Sequence, residues 1–294
     1  MHVKGLKKFQ EKIPAFSGKK IFVLPLYVFS MGVLAFLVYF FFNSLPGEIE
    51  GSGISGVVLS FSPLLGVITM EIAGFALVWQ LWLWRDRLKK AYGDRSFQRI
   101  FLFGLAGITW ILTITVNQYV PFFSFAREFW ASSPFQFLAT PLQSYIGNAG
   151  LIIFYIKNAF ALALLGIGLT MIIRALQVFG IDYMVVLYVY FPKEGRIQKN
   201  EIYSALRHPT YAGALLICLG GSFFTFTILS FTVYLALLAG FYIHIHFFEE
   251  KELLERFGNS YRNYRKNVPA FFINPMNLTT LFRFLVQKDR NIQN

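Results

Sequence analysis

The chain has 294 residues, 56% hydrophobic and only 14% charged, with a formal net charge of +12. Soluble domains carry about 25% charged residues, so this composition excludes an ordinary soluble enzyme. The 35 Phe and 15 Tyr exceed what one packed core needs, and the charges fall in blocks between long uncharged runs, the pattern of a chain solvated by lipid. The one cysteine, Cys218, excludes an internal disulfide framework and a Cys-rich metal site, and no metal centre is expected.

Residues 21–45 follow a basic start and form the first predicted span. The run is too long for a signal peptide, lacks an obvious small-residue cleavage site and precedes further spans, so it reads as a retained anchor. Residues 54–84 come next, interrupted only by Glu71, and then the uncharged run 100–119. Residues 146–176 contain only Lys157 and Arg174. Residues 178–191 are apolar but short and include Asp182, which predicts an interfacial or re-entrant helix. Residues 210–228 and 229–248 complete the set as a helical hairpin. Each of the six runs other than 178–191 is long enough to cross about 30 Å of hydrocarbon at about 1.5 Å per residue. The fold class is therefore all-α: a polytopic bundle of about six spans with short helices beyond the last one.

Basic residues give the orientation. Of 27 Lys and Arg, 24 fall in the segments before 21, at 85–99, at 177–209 and after 248, whereas the opposite loops hold only Arg127. By the positive-inside rule both termini are cytoplasmic, and the charge excess is topological, with no nucleic-acid partner implied. The chain divides into 1–53 with a first span, 54–176 as bundle, 177–275 as a functional core and 276–294 as a tail. The Asn277 sequon falls on the cytoplasmic side and is expected to be unused. Gly166 and Gly168 read as helix-packing positions. Glu71 and Lys157 lie near mid-span, where charge is costly, and are expected to face each other as an ion pair.

The informative region begins at Arg207-His208-Pro209-Thr210-Tyr211-Ala212-Gly213, where a span starts. Pro suits a first helical turn and Gly allows close approach. Two spans joined by a tight turn rise and return about 30 Å each, so Glu249 and Glu250 become neighbours of Arg207 and His208 at one membrane face. A helix then runs to a glycine cap at Gly258. Glu250 shares its buried stripe with Leu253, Leu254 and Phe257 and needs a partner. Glu252 and Arg256 are expected to form a solvated i, i+4 pair. Beyond the cap, Tyr261 with Tyr264 and Arg262 with Arg265 give a short helix an aromatic and a cationic face. His244 and His246 point apart on a regular helix and make a poor metal pair.

Arg207-His208-Pro209-x-Tyr211-x-Gly213, followed by Glu249-Glu250-x-x-Leu253-x-x-x-Phe257-Gly258-x-x-Tyr261-x-x-Tyr264-x-x-x-Val268-Pro269, resembles the isoprenylcysteine carboxyl methyltransferase and phospholipid methyltransferase superfamily. The resemblance covers roughly residues 197–275. It implies S-adenosylmethionine in a pocket made by these motifs, beside a lipid-accessible tunnel for an acceptor. Residues 21–45 are then an added span.

The residue types suit that ligand independently. An aromatic base, ribose hydroxyls, a zwitterion and a sulfonium need stacking faces, acceptors and donors together, which Tyr261, Tyr264, Glu250, His208 and Arg207 supply. Pro209, Tyr211, Gly213 and His246 complete the expected cofactor set. Holding nucleophile, methyl and sulfur in line does most of the catalytic work. For a carboxylate acceptor Arg262 or Arg265 is the expected holder; an amine acceptor needs a base such as Glu249 or His246, and Glu250 completes the expected catalytic set. The expected partners are a lipophilic substrate entering from the bilayer and membrane lipids, with no obligate protein partner. A sterol-type NADPH-dependent reductase is the competing enzyme class, and a transporter using Glu71 and Lys157 a weaker one.

Overall fold

The computed structural model describes residues 4–44, 61–119, 136–272 and 278–286, and every regular element among them is helical. Arg127 and the Asn277 sequon lie outside the described residues. After a short α1, Leu6–Lys12, come α2, Val23–Ser44, α3, Ser62–Leu83, α4, Arg85–Tyr92, and α5, Ser96–Asn117. The longest helix is α6, Gly150–Phe179. The hairpin is α9, Pro209–Thr225, and α10, Ile228–His244. Five described helices are long and apolar enough to cross a membrane, while α9 is shorter. Its 17 residues cover about 25 Å, so it reaches less far than the six-span expectation required.

Small residues decide where the helices cross. A Cβ on Gly107 would meet the Gly74 carbonyl at 2.4 Å, and one on Gly168 the Gly213 carbonyl at 2.6 Å. These two glycine pairs bring α3 onto α5 and α6 onto α9 at backbone distance, as lipid-solvated helices need when no hydrophobic force drives them together. Gly166 meets nothing within 4 Å, so only Gly168 serves the packing role expected of both. The first span, α2, buries only the stripe Ala35, Tyr39 and Asn43 and packs on α3 and α5.

The α9–α10 turn is closed by a reciprocal cap, with Thr227 Oγ1 accepting from Ser230 N at 3.1 Å and Ser230 Oγ from Thr227 N at 3.2 Å. Lys157 belongs to this turn. Its Nζ donates to the Phe224 carbonyl at 2.6 Å, in the last turn of α9, and to Asn158 Oδ1 at 3.1 Å. The expected pair with Glu71 is therefore absent: the free carbonyls of a helix C-terminus attract the ammonium, while Glu71 is buried with neither oxygen hydrogen-bonded among the described residues.

Residues 178–191 do not form one helix. The chain leaves α6 at Gly180 (φ 100) and makes two single turns, α7, Ile181–Met184, and α8, Leu187–Tyr190, separated by Val186 at φ 51. Asp182 holds the pair together by accepting from the Tyr188 hydroxyl. The N-terminal α1 straps over them. Phe9 and Ile13 join Leu81, Phe97, Leu187 and Tyr190 in one core cluster, and Lys8 and Lys12 reach Glu194 at 3.3 and 2.6 Å. Two helices follow the hairpin, α11, Glu250–Phe257, and α12, Asn259–Asn267. Arg256 on α11 donates to the Tyr188 carbonyl at 3.1 Å. Four basic segments thus gather at one end of the bundle. The last described helix, α13, Leu278–Val286, sets Leu281 against Val178, Ile202, Met171 and Leu206.

Candidate active site

Backbone pairing builds the site. Arg207 N donates to the Pro269 carbonyl at 2.9 Å and His208 N to that of Ala270 at 3.1 Å, which ties the entry of α9 to the exit of α12. Between α10 and α11 the helix widens into a π turn, Ile245–Glu249. Such a turn adds one residue per repeat, so His244 and Glu249 share a face that regular α-helical spacing would deny them.

Glu250 is 2% exposed and is the centre of an ion cluster. Its Oε1 lies 2.7 Å from Arg207 Nη2, its Oε2 3.0 Å from Arg265 Nε, and the Tyr261 hydroxyl donates to Oε1 at 3.4 Å. Arg207 Nη1 also donates to the Arg265 carbonyl at 2.8 Å. His208 sits between the two carboxylates, with Nδ1 3.5 Å from Glu249 Oε1 and Nε2 3.5 Å from Glu250 Oε1. Burial resists protonation of this ring, but Glu249 and Glu250 outweigh it and lift its pKa to about 8. Glu249 Oε2 accepts from the Tyr211 hydroxyl at 2.8 Å, and Tyr211 stacks between His208 and Phe241 with centroids at 5.6 and 4.8 Å.

Two cavities meet here. The first, about 660 Å³ counted out to its mouth, is polar and aromatic: Arg207, His208, Glu249, Glu252, Arg256 and Tyr261 are on its wall, with Tyr264, Tyr203 and Tyr183. Arg207 Nε and Arg256 Nε are buried donors without a hydrogen-bond partner among the described residues. Two orphan guanidinium donors beside carboxylates and tyrosine rings fit a ligand that carries a carboxylate or hydroxyls and an aromatic base. The second cavity, about 1240 Å³ counted likewise, is apolar and runs between α3, α5, α9 and α10, bounded by Phe75, Ile111, Ile217, Leu237 and Phe241. Trp82 and Val186 line both. Tyr211 and His244 face the second cavity and Glu249 the first, so the Tyr211–Glu249 bond spans the partition.

Arg207, His208, Tyr211, Glu249, Glu250, Tyr261 and Arg265 come together. Tyr264 joins them from behind, its hydroxyl donating to the Tyr203 carbonyl at 2.5 Å. Pro209 opens α9, and Gly213 serves the crossing with Gly168 rather than the site. Two expected members stand elsewhere. Arg262 is exposed and donates to Asn259 Oδ1 at 3.2 Å; His246 is exposed and stacks on Tyr242, because the π turn rotates it outward and brings His244 in. Glu252 and Arg256 are paired at 3.2 Å, but Glu252 is buried and Arg256 only partly exposed, contrary to the solvated pair expected, since Arg256 is held against α8 by its bond to the Tyr188 carbonyl. Trp82, Tyr203 and Tyr183 carry no motif; the odd spacing of His244 from Glu249 was the one available hint of the π turn.

This arrangement of a lipid-solvated helical bundle with a polar and an apolar cavity in contact agrees with what the chain resembles. Residues 156–260 match the phospholipid methyltransferase family. A methanethiol S-methyltransferase from Pseudomonas deceptionensis is 33% identical over 146 residues, which are 48% of this chain and 51% of that protein. The chain thus matches about half the length of that relative. No solved structure matches it.

Proposed function

We propose that the protein transfers a methyl group from S-adenosylmethionine to a lipophilic acceptor that enters from the bilayer. The observation that carries this reading is the contact of the two cavities at Trp82, Val186 and the Tyr211–Glu249 bond. When bound, S-adenosylmethionine supplies an activated methyl group. The polar cavity holds it: Arg207 and Arg256 offer their free Nε donors to its carboxylate or ribose, Glu252 is an acceptor, and Tyr261 and Tyr264 pack the adenosine. Glu250 keeps Arg207 in place. The acceptor lies in the apolar cavity, whose wall residues Ile108 and Leu112 are also exposed on the lipid-facing surface. In-line placement across the partition supplies most of the rate.

The site lies at the cytoplasmic face, with both termini on that side, which the gathering of basic segments at its end of the bundle supports. Cysteines introduced near Lys12 and Arg262 should react with an impermeant maleimide only after the membrane is opened; Cys218 is buried and leaves a clean background. Direct binding to the purified chain tests the reaction class. Saturable S-adenosylmethionine binding is expected, and binding of NADPH in its place would refute the reading.

A further inference from the structure

The apolar cavity carries an inference about the acceptor, resting on the methyl-transfer reading above. Among the described residues no Asp, Glu, Lys or Arg lines it; its polar groups come from Thr115, Thr210, Tyr211, Trp82 and His244. A carboxylate or an ammonium entering such a space would leave water without a counter-charge, which is costly. The acceptor is therefore bound neutral. A neutral thiol, alcohol or primary or secondary amine that gains a methyl group has a proton to lose, and among the lining residues His244 is the one base able to take it.

Hydrogen bonding identifies the free nitrogen. The Tyr211 hydroxyl has one proton and donates it to Glu249 Oε2 at 2.8 Å. Its 3.3 Å contact with His244 Nε2 then requires the proton to be on Nε2. Nδ1 is left with a lone pair, buried and without a partner among the described residues. Phe75, Trp82 and Phe248 pack the ring, Glu249 Oε2 lies 3.7 Å from Nε2, and His208 stands beyond Tyr211. A positive charge arriving on the ring thus meets a carboxylate on the Nε2 side.

We propose that the acceptor is a lipophilic thiol and that His244 Nδ1 takes its proton. A thiol is a weak donor that leaves water at little cost. The S–H proton passes to Nδ1 and the electron pair of that bond stays on the acceptor sulfur. That pair forms the new S–CH3 bond as the old C–S bond breaks, its electrons staying with the departing thioether. His244 then releases the proton to water, so a thiol yields a methyl thioether and one proton. The cavity is far larger than a one-carbon thiol requires, which favours a long-chain or bulky one.

The test uses the full chain in lipid nanodiscs with 1-decanethiol, decylamine and decanoate as probes. Without methyl donor, quenching of tryptophan fluorescence, assigned by its loss in Trp82→Phe, should report saturable decanethiol binding at least about tenfold tighter than that of either charged probe. With S-adenosylmethionine, His244→Gln should lower kcat for decanethiol by about 100-fold or more, with KM and binding nearly unchanged. The loss should shrink for 4-butylthiophenol, which ionises without help. Equal losses for the two thiols, or preferred methylation of decylamine or decanoate, would overturn the proposal. If the Gln variant does not fold, the preference of the wild-type chain among the three probes still decides it. A chain that binds no S-adenosylmethionine and methylates none of the probes would overturn the methyl-transfer reading instead.

Discussion

Replacing Glu250 by Gln keeps the side-chain size and removes the charge at the centre of the ion cluster. Arg207 Nη2 loses an anionic partner at 2.7 Å while its side chain is only 9% exposed, and its Nε has no other partner among the described residues. Breaking a buried pair by removing one member costs about 3–5 kcal/mol. Arg265 contributes less, because its side chain is 38% exposed and surface pairs are worth below about 1 kcal/mol. The amide oxygen can still accept one bond, so the expected loss is about 3 kcal/mol, nearly all of it through Arg207. Equilibrium unfolding in mild detergent should show it. A cycle with Arg207→Met should give a coupling of about 2 kcal/mol or more. Isothermal titration should show S-adenosylmethionine affinity falling at least about tenfold, because Arg207 lines the polar cavity. A Glu250→Gln chain as stable as wild type to within about 0.5 kcal/mol would refute the reasoning.

The His208 pKa of about 8, raised above 6.5 because Glu249 and Glu250 outweigh burial, gives stability that is complete below about pH 6.5 and lost as pH rises through about 8. The loss, roughly 2 kcal/mol, should appear as a falling thermal midpoint across that window and should vanish in His208→Gln. Lys157→Met should cost about 1–3 kcal/mol by leaving the Phe224 carbonyl without its donor, whereas Glu71→Met should be neutral or stabilising, since no partner is lost. If the two were a pair, both changes would destabilise, so thermal midpoints of the two variants decide between the readings. Gly213→Ala would put a Cβ 2.8 Å from the Gly168 carbonyl and should cost about 1–3 kcal/mol. Gly166→Ala, facing open space, should leave the midpoint unchanged.

The spans were legible because a helix in hydrocarbon must be apolar over its whole length, and no packing partner can substitute for that requirement. The meeting of Arg207 and His208 with Glu249 and Glu250 was legible too, from the rise and return of a hairpin. Properties set by local spacing in a regular helix were less secure. One π turn between α10 and α11 exchanged His246 for His244, and hydropathy carries no signal for an extra backbone residue. Tertiary cover changed other residues: α7 and α8 turned Glu252 and Arg256 from an open surface pair into a cavity wall. Lys157 found a helix-end carbonyl instead of Glu71, since either partner satisfies an ammonium and only the path of α9 determines which is near. The apolar cavity was the least legible feature. A space without charge is made by where Phe75, Ile111, Leu237 and Phe241 fail to touch, and residues up to 166 positions apart define a void only after the helices carrying them have packed.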